Sequence, residues 1–163
     1  MALEDNSTIQ VLTCNAAGQE FVVLMDSIDE IIQMMAYREF PNAPPFVVGV
    51  INLREELVPI VDLYDRLGQV RPTSMMTDEI SPFPTNSRLL IATSGGKRIG
   101  GIVNAVGNIR SVNESELQLA VGATAESKSL LGRVWLNESK MVQLLDFKNL
   151  LSSNEVSQLE RAH

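Results

Sequence analysis

Chemically reactive side chains are scarce in this chain of 163 residues. There is one cysteine, Cys14, so no intrachain disulfide can form, which fits a reducing, cytoplasmic setting. There is one histidine, His163, at the end of the sequence, where a side chain is held too loosely for catalysis. Neither C-x-x-C nor any other metal-ligand spacing occurs, so neither a metal nor a cofactor is expected. Long apolar runs are lacking too. None approaches the ~20 residues of a membrane-spanning helix. The opening MALEDNSTIQ has no basic patch followed by an apolar stretch, so no signal peptide is expected. Positive charge is in deficit: 13 basic against 20 acidic residues give a formal net charge of −7. With no long basic run, nucleic acid and anionic membrane surfaces are poor candidates as partners. Aromatics make up 5% and hydrophobic residues 45%, so the core is expected to be aliphatic. A chain of this size can bury such a core without staples.

What the chain does have is repetition. Residues 18–34, GQEFVVLMDSIDEIIQM, align without a gap on residues 96–112, GKRIGGIVNAVGNIRSV. Gly18 meets Gly96, Phe21 meets Ile99, Asp26 meets Asn104, Ile28 meets Val106 and Ile31 meets Ile109. A second match follows in the same order, between GVINLREELVPIVDLYDRL from Gly49 and GRVWLNESKMVQLLDFKNLL from Gly132. One extra residue placed in its turn brings Leu53 to Leu136, Val58 to Val142 and Asp62-Leu63 to Asp146-Phe147. Two ordered matches point to two copies of one supersecondary plan.

Each copy reads as β. STIQVLTC and SRLLIAT lead through the glycine turns Ala17-Gly18 and Gly95-Gly96 into further strands. FVVGVINL and LVPIVDL are two strands joined by a turn at Arg54-Glu55-Glu56. Pro59 cannot donate a ladder hydrogen bond, which predicts an edge position or a bulge for its strand. Four or five short strands with glycine turns, twice over, predict two small barrels. RPTSMMTDEISPFPTNS, residues 71–87, holds three prolines and reads as the surface loop between them. The domain is expected over 7–150, with one subdomain at about 15–80 and another at about 85–150. Residues 151–163 read as a short helix or tail.

No set of residues looks catalytic. SGGKR at 94–98 lacks the glycine that a phosphate-binding loop needs five positions before Gly96, and reads as a hairpin turn. Asp26, Asp29, Asp62 and Asp65 fall at strand ends and turns, where carboxylates accept from loose backbone N–H groups. Cys14 reads as a small buried apolar group. Met25, Met34, Met35, Met75 and Met76 would serve equally as an adaptable surface or as ordinary filling. A protein without reactive groups, offering sheet edges and grooves, suits protein recognition.

The segment from Ile28 to Gly68 carries an acidic residue after the second strand, then P-N-A-P-x-F, then G-V-I-N-L-R and V-P-I-V-D-L. It resembles the CheW family of bacterial signalling adaptors. RLLIATSGGKRIGGIVNAVGNI resembles the family's next strand pair, and LLGRVWLNESKMVQLLDFKNLL its final hairpin. The resemblance runs from about Ile9 to Leu151. It implies a mainly β fold of two SH3-like five-stranded barrels around a shared apolar core, with short helices. It also implies a non-enzymatic adaptor, cytoplasmic and recruited to membrane-associated receptor arrays. Its partners would be the cytoplasmic tip of methyl-accepting chemoreceptors and the regulatory domain of a CheA-type histidine kinase. An adaptor of the same fold in a parallel system for pili, surface behaviour or a second messenger is the alternative. By the same resemblance, Glu30, Ile31, Arg54, Ile99, Val103 and Val106 would meet the receptor and Ile28 the kinase. Residues alone favour reading Arg54 as a solvated turn residue. Glu55 stands where the family has glycine, and Gly101 where a β-branched residue is common; if the turn needs positive φ, Glu55 is strained.

Overall fold

The computed structural model describes residues 8–16, 19–39, 42–44, 47–63, 87–119, 133–137, 140–151, 155, 157 and 158. Eleven strands run through them. The first five are β1 (Thr8–Ala16), β2 (Gln19–Leu24), β3 (Glu30–Gln33), β4 (Val47–Leu53) and β5 (Glu56–Asp62). The remainder are β6 (Arg88–Ser94), β7 (Lys97–Val103), β8 (Ala105–Asn113), β9 (Leu117–Leu119), β10 (Arg133–Asn137) and β11 (Lys140–Leu145). They form a six-stranded sheet, β8-β1-β2-β11-β10-β9, and a five-stranded sheet, β3-β6-β7-β5-β4.

The mainly β expectation holds, and the two sheets repeat one plan. Strands β8-β1-β2-β11-β10 correspond in order to β3-β6-β7-β5-β4. The halves expected at about 15–80 and 85–150 are, however, each split between the sheets. The first sheet takes β1 and β2 from the first half of the chain, the second takes β3, β4 and β5. The crossings sit at repeat-equivalent places. Between β2 and β3 the chain makes a short helical turn, Met25–Ser27, with Asp29 N–H donating to Ile91 O at 2.7 Å in the other sheet. Between β7 and β8 it passes through Asn104, whose N–H donates to Asn15 O at 2.8 Å. The described ladders do not close into complete rings. In the five-stranded sheet the chain beyond β3 returns to β4, where Arg38 and Val50 exchange backbone bonds of 2.9 and 2.8 Å.

Two positions in β4 and β5 follow from that return. A Cβ on Gly49 would lie 2.5 Å from Arg38 O and 2.6 Å from Tyr37 Cδ2, so only glycine admits the approach. Val50 turns its N–H and C=O toward Arg38, which puts it and the opposing Pro59 in a non-hydrogen-bonded pair. Pro59 therefore needs no donor toward β4, and the parallel pairing of β5 with β7 begins only at Ile60. The proline lies in an inner strand, not at an edge, because the ladder asks nothing of it there.

Three apolar layers result. Leu12, Cys14, Phe21 and Val23 of one sheet pack with Val61, Leu90, Ile99 and Val103 of the other in a shared core. Ile51, Leu53, Val58, Ile60, Leu89, Ile91 and Ile102 fill the five-stranded sheet's own core. Val11, Val22, Val112, Trp135, Val142 and Leu144 fill the other's. Strands such as β2 and β6 are thus apolar on both faces, which explains runs like FVVL and LLIA without alternation.

The register of the final hairpin corrects the second repeat match. Asn137 opposes Lys140 as Leu53 opposes Glu56, so neither hairpin has an extra residue. Ile51, not Leu53, then corresponds to an inward partner in β10, Trp135. Both are buried in their sheet's own core.

After β11 the chain turns at Phe147–Asn149 and is fastened to the β2–β3 crossing and to β6. Phe147 N–H donates to the buried Ser27 hydroxyl at 3.2 Å. The buried Ser94 hydroxyl donates to Lys148 O at 2.9 Å and accepts from Leu151 N–H at 3.1 Å. The ring of Phe147 fills the space over Gly101, where a Cβ would come within 2.7 Å of it. That accounts for glycine where a β-branched residue is common. Of the expected tail, Glu155, Ser157 and Gln158 are helical.

Candidate functional site: a carboxylate–guanidinium clamp at one rim

The charged knot after β4 is a two-residue turn. Arg54 (φ 50°) and Glu55 (φ 69°) both lie in the left-handed region, the type I′ pattern that matches the twist of paired strands. Glu56 belongs to β5, opposite Leu53, and so is not a turn residue as expected. The positive φ foreseen at Glu55 is present, and Arg54 shares it.

From this turn Arg54 reaches Glu30, the first residue of β3. Its two terminal nitrogens donate to the two carboxylate oxygens, Nη1 to Oε2 at 2.8 Å and Nη2 to Oε1 at 2.5 Å. Such a paired fork fixes orientation as well as distance. The Arg54 side chain is 65% exposed and that of Glu30 21%, so the arginine is presented and the glutamate is its seat. The hydrogen bonds from Arg54 hold the Glu30 carboxyl below its ordinary pKa against desolvation, with help from the charges of Arg54 and Arg98. The same bonds push the Arg54 guanidinium further up.

Alternation explains what surrounds the pair. Glu30 and Ile32, Glu56 with Val58 and Ile60, and Arg98 with Gly100 and Ile102 each share a strand face. The inner members line the core of the five-stranded sheet. The charged members stand at its rim. Arg98 Nη1 lies 3.6 Å from Glu56 Oε2. Sequence reasoning missed Arg98 and Glu56, although the period of two could have placed them beside Glu30. It also missed Ser27 and Ser94.

The other expected contact residues are not brought to this rim. Ile31 points to the opposite face and is exposed. Ile28 and Val106 are half-buried against the shared core. Ile99 and Val103 are fully buried inside it, because they alternate with Arg98 and Ile102 and face the other sheet. They present no surface to a partner in this arrangement. Asp29 accepts from the Thr93 hydroxyl at 2.8 Å, and Asp62 is buried at the end of β5. Asp65, Met75 and Met76 lie outside the described residues. Burial, and secondarily the charge of Glu20, pushes the Cys14 thiol up to about 12, so it stays protonated and unreactive. Among the described residues no group of three or more histidine, cysteine and acidic side chains could hold a metal ion, and no helix is long and apolar enough to cross a membrane.

Known proteins resemble this chain along most of its length. The "Chemotaxis protein CheW" of Rhizobium meliloti is 29% identical over 152 residues, 92% of each chain. The "Chemotaxis protein CheW" of Bacillus subtilis is 26% identical over 142 residues, 86% of this chain and 85% of that one. "Protein PilI" of Pseudomonas aeruginosa is 32% identical over 89 residues, 55% of this chain and 45% of that protein. The crystal structure of the scaffolding protein TtCheW from Thermoanaerobacter tengcongensis shares the fold, with TM-score 0.75 at 20% identity over 91% of this chain and 96% of that one. The family model for the CheW-like domain matches residues 10–155, and the chain belongs to that family.

Proposed function

We propose that this chain is a non-enzymatic adaptor that couples methyl-accepting chemoreceptors to a CheA-type histidine kinase in bacterial chemotaxis signalling. The observation that carries this is the near full-length match to chemotaxis proteins of the CheW-like family. The rim supports it: an exposed guanidinium, oriented by a carboxylate, suits recognition of a partner's carboxylate or backbone carbonyl. Arg54 and Glu30 form the receptor-facing rim, and Ile31, exposed on the opposite face of β3, adds a separate apolar contact. Val106 adds a half-buried apolar contact from β8, with Ile99 and Val103 beneath it in the shared core. Ile28 lies toward the kinase. The adaptor works in the cytoplasm, recruited to receptor arrays.

The test is reconstitution. Receptor-containing membranes and the kinase are assayed for phosphorylation with and without this chain. Receptor control should require it, and Arg54→Glu should weaken receptor binding several-fold, since it sets like charges beside Glu30. Equal coupling without the chain would remove the proposal.

The match to PilI favours one second reading, an adaptor in a parallel system that governs pili. Deleting the gene separates the two: loss of directed swimming supports the first, and loss of surface movement with swimming intact supports the second.

A further inference from the structure

The contacts assigned to the two partners sit on one short stretch of chain. Ile28 and Glu30 are separated by Asp29 alone, where the chain crosses from β2 to β3. A different part of the molecule pins each side of Ile28. Before it, the buried Ser27 hydroxyl donates to Leu24 O at 2.7 Å and accepts from Phe147 N–H at 3.2 Å. After it, Asp29 N–H donates to Ile91 O at 2.7 Å, and the Asp29 carboxylate accepts from the Thr93 hydroxyl at 2.8 Å. The first pin ties the crossing to the C-terminal turn, and the second ties it to β6. Glu30 lies beyond the second pin, paired with Ile91 at the start of β3.

The first pin belongs to this crossing and not to its repeat. The residue in the place of Ser27 at the other crossing is Ala105, which has no hydroxyl. The chain is held there by Asn104 N–H on Asn15 O at 2.8 Å. The C-terminal turn itself has a second fastening from β6, where the Ser94 hydroxyl holds Lys148 O and Leu151 N–H. Ser27 and Ser94 are therefore matched clasps on one turn, and Ser27 is the one whose backbone runs directly into Ile28. Removing the Ser27 hydroxyl would leave the N–H of the fully enclosed Phe147 without this acceptor. The crossing would then sample other arrangements, and a partner at Ile28 would bind only the fraction still in place.

We propose that Ser27 is a positioning residue for the kinase contact. Its hydroxyl fixes Ile28 by tying the crossing to the C-terminal turn, while the Asp29 pin keeps the Arg54–Glu30 clamp independent of it. The identity of the partners rests on the adaptor reading; the positioning is a property of the isolated chain.

The experiment compares Ser27→Ala with Ser94→Ala, which loosens the same turn from the other side. In the isolated chain, amide hydrogen exchange at Ile28 should quicken about fivefold in Ser27→Ala, the scale of one neutral hydrogen bond. It should not quicken at Asp29, nor at Ile28 in Ser94→Ala. Unchanged exchange at Ile28 in Ser27→Ala, or equal quickening in both variants, would overturn the proposal. The second arm measures binding to the regulatory domain of a CheA-type kinase and to a chemoreceptor cytoplasmic-tip fragment. Ser27→Ala should weaken kinase binding up to about fivefold and spare receptor binding, and Ser94→Ala should spare both. Equal weakening of both partners by Ser27→Ala would mean a merely structural role. If Ser27→Ala does not fold, the wild type decides: bound kinase domain should slow exchange of Phe147 N–H, across the pin, more than that of Leu151 N–H on Ser94, and equal slowing would overturn the proposal. A wild-type chain that binds neither partner would remove the adaptor reading and leave the exchange result standing.

Discussion

The two sheets are built to one plan and finished differently at their rims. In the five-stranded sheet, β3 has four residues and opens with Glu30, which seats Arg54. In the six-stranded sheet the corresponding strand, β8, has nine residues, and the position that matches Glu30 is Asn108. Asn108 makes no clamp there. Its backbone N–H donates to the Thr13 hydroxyl at 2.9 Å, at the bulge where Gly107 and Asn108 of β8 face Thr13 alone. That sheet instead anchors Trp135, whose indole N–H donates to Glu116 at 2.8 Å, with the Arg110 guanidinium 5.3 Å above the ring. Strand order and core are therefore common property, and the polar chemistry of each rim is separate. The charged and polar side chains stand at the ends of strands whose middles are devoted to packing.

The largest expected effect tests whether the shared core outweighs the separate ones. Phe147→Ala should cost about 3–5 kcal/mol, because the ring fills the space over Gly101 and is fully enclosed. Ile51→Val, in the five-stranded sheet's own core, should cost about 0.5–1.5 kcal/mol. Urea denaturation measures both. Equal losses would mean that the Phe147 ring is less tightly enclosed than its contact with Gly101 indicates.

Next is the close return of the chain onto β4. Gly49→Ala should cost about 1–3 kcal/mol, since its methyl would collide with the Arg38 carbonyl and the Tyr37 ring. Gly96→Ala is the control. A methyl there meets nothing within 4 Å, and only the positive φ of 81° opposes it, so its cost should be about 1 kcal/mol. If the two are alike, the Arg38–Val50 return is not as tight as described.

Much of the plan was legible before the structure, for a physical reason. Strand pairs with glycine turns leave a repeat that survives divergence, because core positions such as Phe21 and Ile99 stay buried in both copies. Which strands join was not legible. The crossing of the chain between sheets at Met25–Ser27 and Asn104 leaves no signature beyond two short polar breaks. The hairpin match slipped by one residue because Leu136 resembles Leu53, and only the ladder reveals that Trp135 is the inward partner. Ser27 and Ser94 look like turn residues and are buried clasps. At the site, Glu30 and Arg54 were assigned to one contact surface by family resemblance alone. Two charges 24 positions apart carry no local signal of contact. Ile99 and Val103, assigned to the receptor contact by resemblance, lie in the shared core, and a strand apolar on both faces does not reveal which face is open.

The pH dependence of the rims should also differ. The folded-state pKa of Glu30 is lowered, so its contribution to stability is present above the ordinary glutamate value of about 4.3 and is lost as pH falls through the folded value. The stability difference between wild type and Glu30→Gln should therefore be present at neutral pH and vanish in acid. Asn108→Gln, at the matching place in the other sheet, should show no such dependence, because no titrating group is exchanged. A wild-type advantage over Glu30→Gln that grew on acidification would reverse the sign argued here.

The smallest effect concerns the turn itself. Glu55 holds a φ of 69°, which costs a side-chain-bearing residue about 1 kcal/mol relative to glycine. Glu55→Gly should relieve that strain and lose part of the gain to the greater freedom of the unfolded chain. A net stabilisation of about 0.5 kcal/mol is expected in urea titrations. Receptor binding sharpens the result, because Glu55 neighbours the Arg54 fork in sequence while the fork's bonds go to Glu30. If Glu55→Gly leaves binding unchanged, the turn residue is indifferent and the clamp alone orients the arginine. If it strengthens binding beyond what removing one exposed negative charge explains, the strained turn is what limits the fork.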